Sequence, residues 1–215
     1  MKKGMGELKK IVEEVIGEVL EYYEKDRDGK SYTTEGDIVS HIFARLLGAP
    51  IWDKGIKIHS QVRPFKGEIG KEKVIRDGKW KDQQGKANAG SVVDLAILDM
   101  RDRYWKKALE KAIKDQFGED RSEGSLRYWR ILSYPVEAFR AAIEVKIRVR
   151  GNKRKILKDV EKLCAIKREN PECLAYMVIA DRCAPPDIIS DIKEYAERNG
   201  IKILCNSCLR YIALF

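Results

Sequence analysis

The segment Ala141-Ala142-Ile143-Glu144-Val145-Lys146-Ile147-Arg148 decides how this chain is read. It is apolar enough for a central strand, yet it carries an acid and a lysine two positions apart. Side chains alternate along a strand, so Glu144 and Lys146 share one face. Ile143, Val145, Ile147 and Val149 then share the other, turned into a core. A second segment, Ser91-Val92-Val93-Asp94-Leu95-Ala96-Ile97-Leu98, holds a lone acid in an apolar run. If the two strands are neighbours, Asp94 and Glu144 can share one metal ion with Lys146 beside them. The plainer alternative makes Ala142, Glu144, Lys146 and Arg148 the wet face of a half-exposed strand.

Composition bounds the rest. A chain of 215 residues suits one domain with its own core. Lys and Arg number 43 against 34 Asp and Glu, a formal charge of +9. Such a surplus suits a polyanion, because neutralised phosphates release their counterions. No apolar run reaches membrane-spanning length, and Met1-Lys2-Lys3-Gly4 opens no signal peptide, so the expected compartment is cytoplasmic with no membrane partner. With only His41 and His59, there is little room for a histidine-rich metal site or a histidine-based nuclease centre. No P-loop is present, which argues against an ATP-driven motor.

Outward from the two strands, the periodicity predicts α/β organisation. Residues 5–25 read as a helix, part of an N-terminal helical arm over residues 1–30, packed on the sheet or on a second subunit. Thr34 with Asp37 resembles a capping box, opening a helix that turns Glu35 to the same side as Val39 and Ile42. Its Asp37, His41 and Arg45 fall on the wet side. Residues 56–62 alternate as a half-buried strand closed by Pro64. Asp77-Gly78 predicts a hairpin within residues 73–80. Residues 81–90 read as a polar loop feeding the Asp94 strand. A helical insertion, residues 101–140, separates the two motif strands. In it, Arg127 and Arg130 flank Tyr128 and Trp129, a pattern suited to phosphate pairing and base stacking, or to anchoring the insertion. After Gly151-Asn152 comes a helix with Ile156, Leu157, Val160, Leu163 and Cys164 buried. Lys153, Arg154, Lys155, Lys158 and Lys162 form its basic edge, a candidate backbone-binding surface or simply a solvated face. Residues 174–180 read as a strand covered on both faces. A helix follows from Pro185-Pro186-Asp187 to Asn199-Gly200, then a core strand at 201–204 and an edge segment at 211–215.

At Asp94 and at Glu144-Val145-Lys146 the sequence resembles the PD-(D/E)XK nuclease superfamily, with Val93 where the motif usually has proline. The resemblance spans residues 34–180. It implies a restriction-endonuclease-like fold: a mixed central sheet flanked by helices, here with a helical arm and a helical insertion. It further implies a nuclease dependent on Mg2+ or Mn2+. Asp94, Glu144 and the carbonyl of Val145 would hold the metal, with Glu35 as the helical acid. Lys146 would orient or deprotonate the attacking water and stabilise the pentavalent phosphate. The expected partner is DNA, and two cuts on duplex DNA point to a homodimer. Two rivals stand beside this reading. One is a binding module of the same fold that does not cut, alone or as a subunit of a larger complex. The other is a scaffold in which the acids and lysine form a structural ion pair.

The cysteines, Cys164, Cys173, Cys183, Cys205 and Cys208, fall in the C-terminal third. Cys205-x-x-Cys208 has zinc or iron–sulfur spacing, but no second close pair completes a ligand set. Buried thiols or a single disulfide rank ahead of a metal.

Overall fold

The computed structural model describes residues 2–25, 34–50, 56–67, 73–82, 90–100, 133–181 and 183–205. Its elements in order are α1 (Lys2–Lys25), α2 (Glu35–Leu47), β1 (Ile56–Lys66), β2 (Lys73–Arg76), β3 (Lys79–Asp82), β4 (Val93–Asp99), β5 (Ser133–Pro135), a 3-10 turn (Val136–Ala138), β6 (Phe139–Lys146), α3 (Lys153–Glu169), β7 (Leu174–Ile179), α4 (Pro186–Arg198) and β8 (Lys202–Cys205). Most of the insertion, with Arg127 and Arg130, lies outside the described residues, as do residues 26–33, 83–89 and 206–215.

Among the described residues the strands form one mixed sheet, ordered β3-β2-β1-β4-β6-β7-β8, with β5 paired to β1. The hairpin half is antiparallel, and β6, β7 and β8 are parallel, joined through α3 and α4. A parallel sheet needs cover on both faces, and two apolar clusters supply it. On one face α1 and α2 pack over Leu95, Ile97, Ile143, Val145, Tyr176 and Val178. On the other, Ile156, Val160 and Leu163 of α3 and Ile189 and Ile192 of α4 pack over Ala142, Ala175 and Met177. The wet-face reading of the Glu144 strand is therefore overturned: β6 is central, and Glu144 is only 1 % exposed. The strand also ends at Lys146, two residues short of the expected Arg148. Past that end the alternation lapses, so Val149 joins the α3 cluster instead of facing with Ile143 and Val145.

The helical arm is accounted for by its own chain. Val12, Ile16, Val19 and Leu20 are buried against α2 and the sheet. The Tyr176 hydroxyl donates to Glu13 at 3.3 Å, and Lys202 pairs with the same carboxylate at 2.8 Å. That apolar face is thus not left over for a second subunit.

Pro64 does not close β1. The strand runs on to Lys66, because proline lacks an N–H but β2 pairs only with Phe65 and Lys66 beyond it. The end of the supposed insertion is also strand: Ser133–Pro135 pairs in parallel with Arg63–Phe65, and β6 already starts at Phe139. A three-residue strand containing proline has no periodic signal to find. Lys81 and Asp82, read as loop, belong to β3.

The hairpin turns where Asp77-Gly78 predicts it, with φ of 49° and 69° at the two central residues, the two-residue turn that matches strand twist. A Cβ on Gly78 would stand 2.7 Å from Cβ of Glu161 on α3. Gly78→Ala is accordingly expected to lose about 1–3 kcal/mol, from the left-handed backbone and the clash together, read as a lower urea midpoint at unchanged slope.

Candidate functional site

The two motif strands are neighbours. β4 pairs antiparallel with β6 through Leu95↔Ile143, Ala96↔Ala142 and Ile97↔Ala141. One step further along that register, Asp94 falls opposite Glu144. There the ladder gives way to a side chain: the Val145 amide donates to Oδ2 of Asp94 at 2.9 Å. A carboxylate thus takes a strand N–H that would otherwise seek a carbonyl. The Gln61 side-chain amide donates to Oδ1 at 3.3 Å. Gln61 has φ of 54°, a left-handed backbone for a non-glycine residue inside a strand. Both strands change face at this level. Ile58 and Leu95 lie in the α1/α2 cluster, whereas Val62 and Val93 lie in the α3 cluster. The inversion ends the regular sheet just where the acids gather.

Lys146 closes β6 and reaches carboxylates from two helices. Its Nζ lies 3.3 Å from Glu35 on α2 and 3.2 Å from Asp159 on α3. Glu35 is fixed by the helix start: the Thr34 side chain accepts the Asp37 N–H at 3.3 Å, and Asp37 accepts the Thr34 N–H at 2.9 Å, the reciprocal cap that the sequence predicts. Burial works against the charge on Lys146. The carboxylates of Asp159, Asp94, Glu144 and Glu35 outweigh it and hold the ammonium above its ordinary range.

Glu144 faces α3. The Lys162 ammonium lies 2.6 Å from its Oε1, a buried ion pair. The same ammonium lies 3.1 Å from Asp159 and donates to the Val92 carbonyl at 2.5 Å. Burial pushes the Glu144 carboxyl well above the usual carboxylate range; Lys162 opposes this, and Asp94 and Asp159 reinforce it. Lys162 itself is 5 % exposed. Burial disfavours its charge, but Glu144 and Asp159 prevail and keep it protonated.

The site residues expected from sequence thus divide. Glu35, Asp94, Glu144, Val145 and Lys146 come together. Of the basic edge, Lys153 pairs with Asp191 at 2.5 Å and Lys158 with Asp77 at 3.3 Å, while Arg154 is exposed. Lys162 does not belong to that edge and turns inward. Asp159, Lys162 and Gln61 are additions. A signal for two of them existed: Ile156, Asp159 and Leu163 recur at helical spacing, which puts an acid on the buried stripe of α3, and Lys162 follows at i+3. Gln61 offered none, because its role depends on its backbone conformation. Asp99, also an acid of β4, is engaged elsewhere by Arg140 at 2.9 Å.

Asp94 and Glu144 offer the hard oxygen donors that Mg2+ and Mn2+ prefer. Even so, no three acidic, histidine or cysteine side chains converge on one point among the described residues. As arranged, the carboxylates close on lysines and do not form a coordination shell. At the other end of the chain, Cys205 is disulfide-bonded and Cys164, Cys173 and Cys183 are free, while Cys208 lies outside the described residues. Burial pushes the Cys173 thiol up to about 12, against the opposing charges of Lys167 and Arg140. Cys183 is exposed. At pH 8 an alkylating reagent should modify Cys183 in the folded chain and leave Cys173 intact until denaturant is added. The protonated Cys173 also stabilises the fold fully below about pH 9, and that contribution should fade as the pH rises through about 12.

No helix of the described residues is long and apolar enough to cross a membrane. No protein-family model matches the chain, and no curated protein matches it.

Proposed function

We propose that this chain hydrolyses phosphodiester bonds in nucleic acid, DNA foremost, with Mg2+ or Mn2+ as cofactor. The observation that carries this reading is Lys146 at the end of β6, 3.3 Å from Glu35 and 3.2 Å from Asp159, with Asp94 held on the neighbouring Val145 amide. Two acids from two helices pair with one strand-end lysine, and that lysine with Asp94 and Glu144 makes up the motif of the resembled nucleases. The formal +9 of the whole chain suits an anionic polymer as substrate.

Held protonated, Lys146 is poorly suited to take a proton from water. It is suited to oppose the negative charge that builds on a phosphate under attack, in a setting drier than solvent. Asp94, with one oxygen on the Val145 amide and the other on Gln61, is pre-oriented and cannot swing away cheaply. Glu35 and Asp159 hold the Lys146 ammonium between them. The test is cleavage of supercoiled plasmid and of branched or single-stranded DNA with Mg2+, Mn2+ or chelator. Cutting only with metal supports the proposal, and no cutting on any substrate removes it.

One observation favours a second reading, the non-cutting module of the same architecture. Lys162 already sits against Glu144, as a structural ion pair would require. Binding without cleavage, unaffected by chelator, would support it.

A further inference from the structure

The β2–β3 hairpin carries charge that the proposed centre does not use. Directly paired residues of a hairpin share a face, and faces alternate along each strand. Ile75 and its partner Trp80 pack against α3, where the Trp80 indole donates to the Ala165 carbonyl at 3.3 Å. The opposite face therefore takes Val74, Arg76, Lys79 and Lys81, with Arg76 directly across from Lys79. Like charges so placed work against the hairpin. The chain does little to offset them. Arg76 is half-buried, and its Nε and Nη2 are covered without a hydrogen-bond partner. No carboxylate pairs with Arg76 or Lys79 among the described residues. Lys81 stands 4.0 Å from Asp77, both exposed, and Asp77 lies closer to Lys158 at 3.3 Å. A recess of about 510 Å3 lies against the hairpin, bordered among the described residues by Lys73, Arg76, Trp80, Lys81 and Asp82. Its one acid, Asp82, is met by Lys73 at 3.7 Å, so the recess stays positive. The Ser91 amide donates to the Ile75 carbonyl at 2.7 Å, which joins the hairpin to the chain three residues, about 10 Å of extended strand, before Asp94.

We propose that the hairpin face of Arg76, Lys79 and Lys81 is where the phosphate backbone of a nucleic acid docks beside the acid–lysine cluster. A polyanion relieves the repulsion between Arg76 and Lys79. It also gains more from a half-buried guanidinium than from a surface lysine, because water screens the former less. Trp80 is committed to α3, and the Lys66 ammonium stands over its ring at 5.6 Å, so the hairpin offers charge and not a stacking platform. Charge alone recognises phosphates and carries no sequence information. The α3 edge is a weaker candidate, since Lys153 and Lys158 there already pair with Asp191 and Asp77. The inference rests on nucleic acid as the partner; it does not need the chain to cut.

The measurement is fluorescence anisotropy of labelled duplex and single-stranded oligonucleotides with the full chain, in chelator, over a series of salt concentrations. The triple variant Arg76→Gln, Lys79→Gln, Lys81→Gln should bind about tenfold or more weaker, with the slope of log affinity against log salt lowered by about 2–3, alike for unrelated sequences. The control Lys9→Gln, Lys10→Gln, Lys193→Gln removes the same charge from exposed positions on α1 and α4 and should lose less than about threefold. Equal losses in the two triples, or no loss in the hairpin triple, would overturn the hairpin as the docking face and leave nucleic acid as the partner. Absence of binding by wild type to every oligonucleotide would overturn both. Competition by poly-L-glutamate as effective as by unlabelled DNA would overturn the phosphate assignment in favour of an acidic protein. Lys79→Gln with Lys81→Gln touches only exposed side chains, so the comparison survives if Arg76→Gln folds poorly.

Discussion

Replacing Lys146 with alanine should abolish metal-dependent cleavage, lowering the rate by roughly 10²–10⁴-fold, while DNA binding changes little. The size follows from position. Lys146 is the cationic group of the cluster that reaches both helices, and its side chain is 13 % exposed, so water does not screen it as it would a surface lysine. Its charge is held by four carboxylates, which argues for electrostatic stabilisation of the reacting phosphate over proton abstraction. That distinction has its own readout. A general base would impose a rate rise across its titration, whereas a permanent cation predicts no limb from Lys146 between pH 6 and about 9. Lys146→Arg keeps the charge and should retain some cleavage; Lys146→Gln should not. Full activity in Lys146→Ala would exclude this centre from catalysis. The variant also leaves Glu35 and Asp159 without their shared cation, but both are partly exposed, so the fold should survive.

Removing Lys162 is expected to be the most damaging single change to stability, at about 3–5 kcal/mol for Lys162→Ala by urea denaturation. Attraction across a buried ion pair barely exceeds what both partners lose on leaving water. Deleting one partner leaves the other to face the whole desolvation cost. Glu144, 1 % exposed, would lose its closest counter-charge while Asp94 and Asp159 stay near, and would fold only by taking up a proton. The double replacement Glu144→Leu with Lys162→Met removes both charges and fills similar volume. It should recover most of the loss, even as it removes the activity. A loss under about 1 kcal/mol for Lys162→Ala would mean that the pair is solvated in practice, and the buried cage described above would be wrong.

Much of the architecture was legible because its signals are local. The 3.6-residue spacing of Val12, Ile16 and Val19 makes α1 whatever surrounds it. Thr34 and Asp37 satisfy the first-turn amides of α2 within one turn of chain, and Asp77-Gly78 adopts a left-handed turn on its own conformational preference. The continuous apolar run at 174–179 announces a strand covered on both faces, as β7 is. Asp94, Glu144 and Lys146 were legible too, since two-residue alternation fixes which side chains share a face within one strand.

What the sequence could not decide was which groups meet across elements. Whether β6 lies at an edge or in the middle depends on its neighbours, so Glu144 reads equally well as wet or buried until β4 and β7 flank it. Charge by itself placed Lys162 with Lys153 and Lys158 on a basic edge. Only the packing of α3 on the sheet turns one of them inward, where a buried carboxylate compensates it, and leaves the others in solvent. Gln61 enters the site through a backbone inversion that no residue type announces. The sequence by itself determined the helices α1 to α4, the strands other than β5 and the acid–lysine spacing, because these follow from periodicity and short-range hydrogen bonding. The tertiary structure alone decided the company each charge keeps, because the free energy of a buried charge is fixed by what lies within a few ångströms of it, and those partners come from distant parts of the chain.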